Sequence, residues 1–169
     1  MRIAPEGWPF IAAFWILEFG FVFFGFTTAA VAWLPVAVWV VAFFRDPVRV
    51  GPRGDTLVIA PADGLVGSVR SIDEPDFHGA EAQRVSIFMN ASNVHANRYP
   101  VNGTITYRKY TPGAFVNAAA EKASLENEQS SVGIVAPRGK VLVRQIAGLV
   151  ARRIITDHGE GTVVRQGER

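Results

Sequence analysis

A mainly β domain, a compact barrel or sandwich preceded by an N-terminal hydrophobic helical hairpin, is the architecture this sequence predicts. Two observations lead there. From Trp8 to Phe44 the only charged residue is Glu18. From Arg45 onward charges occur throughout, and short runs of β-forming residues are punctuated by Gly and Pro. The chain of 169 residues therefore divides into an anchor over residues 1–44, a linker over 45–55 and a β-rich domain over 56–169. The last segment is of ordinary size for one hydrophobic core.

The anchor comes first. As one straight helix, Trp8 to Phe44 would be about 55 Å long at 1.5 Å per residue, against a hydrocarbon core of about 30 Å. Two short passes or a re-entrant hairpin fit better. Thr27-Thr28 marks the expected turn and Pro35 an expected kink. Trp8, Trp15, Trp33 and Trp39 are candidates for the membrane interface. Arg2 precedes the block, and Arg45, Arg49 and Arg53 follow it. Cations on both flanks place both ends, and the β domain, on the cytoplasmic side of the cell membrane. The block is too long for a signal peptide and lacks a small-residue cleavage site. Glu18 reads as a snorkelling or helix-paired carboxylate.

The linker, Arg45 to Asp55, is rich in Pro and Gly. Thr56 to Ala60 is a short apolar run ending at Pro61, and Leu65 to Val69 resumes after Asp63-Gly64, as a hairpin would. Arg84 to Met89 and Gly103 to Tyr110 alternate polar and apolar residues. Val132 to Val135 and Lys140 to Ile146 continue the pattern. Helical signals are weak: Ala114 to Leu125 has room for a turn or two, and Ala147 to Ile155 reads equally as strand or helix. Many short strands with such punctuation indicate a barrel or sandwich.

Composition narrows the function. Without Cys there is no disulfide, thiolate metal site or cysteine nucleophile. The net charge is only +2, and the basic residues are scattered, which argues against a nucleic-acid partner. A basic surface beside an anchor meets anionic headgroups more naturally. Three isolated histidines give no metal-ligand spacing. No Gly-x-Ser-x-Gly elbow and no phosphate-cradling glycine loop is present.

Two residues carry candidate chemistry. Asp63 sits in Pro61-Ala62-Asp63-Gly64, where an Asp before Gly is by itself a turn former. His95 sits in Asn93-Val94-His95-Ala96-Asn97-Arg98, just before Tyr99-Pro100-Val101-Asn102-Gly103. Beside a bilayer anchor, a carboxylate and an imidazole point to chemistry on a lipid.

The chain resembles the phosphatidylserine decarboxylase proenzymes, in their short, membrane-anchored form. The matching pieces run in order: Ala60 to Gly64, Phe88-Met89-Asn90 leading to Val94-His95, Tyr99 to Gly103, Tyr110 to Phe115, then Asn117 and Glu126-Asn127-Glu128. They cover roughly residues 57 to 150. The resemblance implies a proenzyme that cuts itself at a Gly-Ser bond, with Asp63 and His95 as partners of that serine in a triad. The new N-terminus then carries a covalent pyruvoyl cofactor. Its ketone condenses with the substrate amine and takes up the electrons released as carbon dioxide leaves. His95 is expected to contact this cofactor and to protonate the resulting carbanion.

Further expectations follow from the resemblance. Gly67-Ser68 is the only Gly-Ser pair, and it reads as part of a strand. The chain is therefore expected to be the larger β subunit. Its partners are a short pyruvoyl-bearing α chain from the same precursor, the phospholipid membrane, and a second copy in a homodimer of αβ units. Some relatives carry a second His where this chain has Arg98, which is assigned to a phosphate or carboxylate. Asn93 is expected to orient the substrate carboxylate or His95. The loop holding Gly113, Phe115 and Asn117 is expected to line the headgroup pocket. The main alternative is a membrane-anchored β-barrel carrier or binding module without catalysis, although Lys109 and Lys140 lack the exposed turn of a carrier lysine.

Overall fold

The computed structural model describes residues 2–117 and 123–169. It is mainly β with an N-terminal helical hairpin, as the sequence predicts. Helix α1 (Trp8–Phe23) follows a 3-10 turn at Pro5–Gly7 and packs along α2 (Thr27–Phe43). Pro5–Phe23 is long and apolar enough to cross a membrane, and Thr27–Phe43 is a shorter apolar helix. Two-residue strands β1 (Arg2–Ile3) and β2 (Arg45–Asp46) pair antiparallel and close the foot of the hairpin.

The seam between the helices follows the helical repeat. Ile11 and Glu18 on α1 are buried, as are Ala30, Ala37 and Val40 on α2. Small residues seven apart let the backbones approach closely. Trp33 stacks on Phe14, with centroids 5.1 Å apart, and its indole N–H donates to the Phe14 carbonyl at 3.1 Å. Glu18 does not snorkel. It is 7% exposed, and its Oε2 has no partner among the described residues. The turn falls one step before Thr27-Thr28, at Phe24-Gly25-Phe26. Gly25 takes φ 74°, a conformation that costs glycine nothing, and Phe26 N–H closes on the Phe21 carbonyl at 2.8 Å. Pro35 lies inside α2, which runs on to Phe43.

Strands β3 (Leu65–Glu74) and β4 (Ala80–Phe88) form an antiparallel ribbon. A four-stranded antiparallel sheet has the order β7-β6-β5-β8, from β5 (Gly103–Thr111), β6 (Gln129–Ala136), β7 (Gly139–Ile146) and β8 (Val163–Val164). Its core is Tyr99, Val101, Ile105, Val132, Ile134 and Val164. The ribbon folds back onto this sheet through Phe77, whose ring lies against Gly133 and 5.6 Å from Tyr107.

Two expected elements differ. Thr56 to Ala60 is not a strand and makes no hairpin with β3. Its peptide groups are used elsewhere: Ile59 N–H donates to the Pro100 carbonyl at 3.0 Å. Ala147 to Ile155 is irregular. The helical turn expected within Ala114 to Leu125 is present as α3 (Ala123–Glu126), and residues 118–122 lie outside the described residues.

Candidate active site at the foot of the hairpin

His95 lies on an irregular segment between β4 and β5, directly below the end of α2. The Phe43 ring stacks on its imidazole, with centroids 4.3 Å apart and planes 28° from parallel. Arg45 fixes the same junction. One end of its guanidinium donates to the Ala42 carbonyl at 2.7 Å and the other to the Ser92 carbonyl at 2.7 Å. The last turn of the apolar hairpin is thus bonded to the loop that carries the histidine.

The tautomer of His95 follows from its partner. Nδ1 is 3.0 Å from the Asn93 carbonyl, which can only accept, so Nδ1 carries the proton. Nε2 then holds the lone pair, with no partner among the described residues. Burial pushes the His95 pKa below the usual 6.5, the Asn93 carbonyl acts in the other direction, and the Arg45 charge lowers it further. The imidazole is therefore a neutral base at neutral pH.

Asp63 and His95 are brought to neighbouring segments but are not bonded to each other. Asp63 Oδ1 accepts from Arg49 Nε at 3.1 Å. The same guanidinium donates through Nη1 to the carbonyl of Ala96, next to His95, at 2.9 Å. Arg98 N–H donates to the Pro61 carbonyl at 2.8 Å, zipping the two segments together. Arg98 itself pairs with Asp46, a few residues past α2, and reaches the Pro47 carbonyl. Asn93 contributes its backbone carbonyl to His95, while its Oδ1 accepts from Asn90 N–H at 2.9 Å and shapes the loop.

Gly113 and Phe115 belong to a different cluster: among the described residues they make no hydrogen bond or ring contact with His95, Asp63 or Arg98. Ala114 N–H donates to the Glu126 carbonyl at 2.7 Å, and Glu128 N–H to the Ala114 carbonyl at 3.0 Å. Asn127, 1% exposed, is the hub: its side chain bonds both polar groups of the Val116 backbone and the Ala147 carbonyl. Phe115 lies under Arg152 at 5.7 Å, and Asn117 stands on the exposed rim of the same loop. A Cβ at Gly113 would strike the Glu126 carbonyl oxygen and the Asn127 backbone. Gly113→Ala should therefore destabilise the protein by about 1–3 kcal/mol, read as a lower denaturant midpoint at unchanged slope.

Phe43, Arg45 and Arg49 hold the candidate site together and were not among the site residues expected from the sequence. The only signal for Arg45, Arg49 and Arg53 was their four-residue spacing after the apolar block, which read as a generic cationic flank.

The family model described as phosphatidylserine decarboxylase matches residues 36–169, a span that holds all of these groups except α1 and most of α2. The chain belongs to the phosphatidylserine decarboxylase family. Curated relatives named phosphatidylserine decarboxylase proenzyme agree over nearly the whole chain. The protein of Symbiobacterium thermophilum is 45% identical over 168 residues, covering 99% of this chain and 78% of that relative. That of Xanthobacter autotrophicus is 46% identical over 170 residues, 99% of this chain and 72% of the relative. That of Rickettsia akari is 44% identical over 171 residues, 99% and 74% respectively. Membership of this phosphatidylserine decarboxylase family makes the chain part of a carboxy-lyase, and the relatives' description as proenzymes implies a precursor that is processed.

Proposed function

We propose that this chain is the larger, anchor-bearing part of a pyruvoyl-dependent decarboxylase that converts phosphatidylserine, or a related serine phospholipid, to phosphatidylethanolamine and carbon dioxide at the membrane surface. The observation that carries this reading is the stack of Phe43 on His95. It sets a desolvated, neutral imidazole at the last turn of an apolar hairpin, where a lipid headgroup meets water. The hairpin is the anchor in this reading, with the β domain on the cytoplasmic face, and two processed units form the homodimer.

The acceptors beside His95 suit the pyruvoyl group. Asn97 Oδ1 is buried without a partner among the described residues, and His95 Nε2 has none there either. When bound, the group supplies an electrophilic carbonyl that draws off the electron pair released with carbon dioxide. The serine it derives from is placed on a precursor segment outside these 169 residues, and cleavage at that Gly-Ser bond is proposed to use His95 as base.

In decarboxylation His95 carries one proton twice. The substrate ammonium must lose a proton before its nitrogen can attack, and the Nε2 lone pair accepts it. After the carboxylate has left as carbon dioxide, Nε2–H returns that proton to the α carbon. One proton is consumed for each carbon dioxide formed from the carboxylate. The Asn93 carbonyl keeps Nδ1–H in place throughout, fixing the ring orientation as a triad carboxylate does elsewhere.

The processed full-length protein, given phosphatidylserine in neutral detergent micelles, should release one carbon dioxide per ethanolamine lipid formed. Hydroxylamine, which captures carbonyls, should abolish the turnover. Carbon dioxide release that survives hydroxylamine would overturn the pyruvoyl reading, and no release at all would overturn the decarboxylase reading.

A further inference from the structure

A cleft of about 300 Å³ opens at the foot of the hairpin, within the size range of small-ligand sites. Arg49, Arg53 and Arg98 line it, and among the described residues no acidic side chain does. Arg49 is offset by Asp63 and Arg98 by Asp46. Arg53 donates only to the backbone carbonyls of Gln166 and Arg49, so its charge meets no carboxylate among the described residues. Arg49 Nη2 and Arg98 Nε are buried without a partner among the described residues. A buried donor left unpaired is costly, and two on one cleft mark the place of an absent acceptor.

The frame is rigid. Gln166, 3% exposed, accepts from Gly54 N–H at 2.8 Å and donates to the carbonyls of Leu57 and Pro100. These bonds hold the linker against the segment that follows Arg98. The linker also faces outward: Val48 and Val50, on either side of Arg49, are 74% and 97% exposed. Valines so exposed, immediately after an apolar hairpin, suit the boundary between acyl chains and headgroups. That is the depth of a phospholipid's phosphodiester.

We propose that this cleft seats the phosphodiester of the lipid substrate, with Arg49, Arg53 and Arg98 as its donors. The inference rests on the decarboxylase reading above and adds the subsite to it. Catalysis favours one of two anions for the arginines. The substrate has two, a phosphodiester and the carboxylate that must leave. Pairing a guanidinium with the leaving carboxylate would stabilise the ground state more than the transition state, and so oppose the reaction. Only Ala96 and Asn97 separate Arg98 from His95 in the chain. With the phosphate on Arg98, the serine end of the substrate would be left for the segment that carries His95.

The test uses the processed enzyme with Arg53→Gln and Arg98→Lys. Neither removes the positive partner of a buried acid: Arg53 has no carboxylate, and Lys keeps a charge beside Asp46. In neutral detergent micelles, where the substrate is the only phospholipid, each variant should raise KM about tenfold or more and change kcat less than about threefold. Glycerophosphoserine, a soluble probe with the same phosphodiester, should inhibit both variants about tenfold more weakly, while serine methyl ester should inhibit all three proteins equally. An unchanged KM with unchanged glycerophosphoserine inhibition would overturn the subsite. An unchanged KM with weakened binding to phosphatidylglycerol vesicles would assign the cleft to a neighbouring lipid and overturn the substrate assignment. If the wild type released no carbon dioxide but bound glycerophosphoserine through these arginines, the decarboxylase reading would fall and the anion site would stand.

Discussion

His95→Ala should lower decarboxylation of phosphatidylserine by about 10³-fold, within the range for loss of a general acid-base group. The folded state should survive, because His95 is only half-buried and the loop is also held by Arg45 and by the Asn90–Asn93 bonds. Residual rate should lie in kcat, since Nε2 moves a proton and no observation makes it a binding group. The pH profile gives a sharper check. Burial depresses the His95 pKa below 6.5, so the neutral base persists into mildly acidic solution. The wild-type rate should hold as pH falls through about 6.5 and decline only lower. His95→Ala should lose that acid limb. Stability follows the same sign. The unfolded chain protonates first, so the contribution of this group is full above about 6.5 and is lost as pH falls toward the folded pKa. An alanine variant that retained both turnover and the acid limb would remove His95 from the mechanism.

Much of the fold was legible because it is written locally. A charge desert over Trp8 to Phe44 and alternation in β5, β6 and β7 need no knowledge of distant residues. The turn at Gly25 was misplaced because two threonines looked like stronger punctuation than one glycine between phenylalanines. Leu57 to Ala60 has strand composition, but Pro61 removes a donor at its end, and its neighbour proved to be Pro100 rather than β3. The site was half legible. Asp63 and His95 stand in recognisable turns, whereas the groups that position them do not. Arg45 meets Ser92 and Arg49 meets Ala96 across 47 residues, and Arg98 meets Asp46 across 52. No periodicity reports such pairs. Nothing in the sequence around Phe43 distinguishes its ring, which stacks on His95, from the other aromatics of the apolar block.

Asp63→Ala should leave the full-length precursor as a single uncut chain. In a serine–histidine–carboxylate arrangement, loss of the carboxylate costs on the order of 10⁴-fold, enough to stretch minutes into weeks. The present arrangement holds Asp63 beside the histidine segment without bonding it to the ring. Oδ1 lies on Arg49, whose other arm holds the Ala96 carbonyl, while Oδ2 has no partner among the described residues. Two roles fit that geometry, and Asp63→Asn separates them. If the carboxylate only positions Arg49, the amide oxygen of Asn can still accept from Arg49 Nε, and the precursor should cut at close to the normal rate. If the carboxylate must steady the imidazolium that forms when His95 takes the serine proton, a neutral amide cannot serve, and Asp63→Asn should stay as uncut as Asp63→Ala. Intact-mass measurement over several days distinguishes the outcomes, and unfolding midpoints for both variants show whether the Arg49 clamp survives. We expect both to remain uncut, because the negative charge matters most at the moment a positive one develops beside it. A normally processed Asp63→Asn precursor would reassign Asp63 from the chemistry to the scaffold.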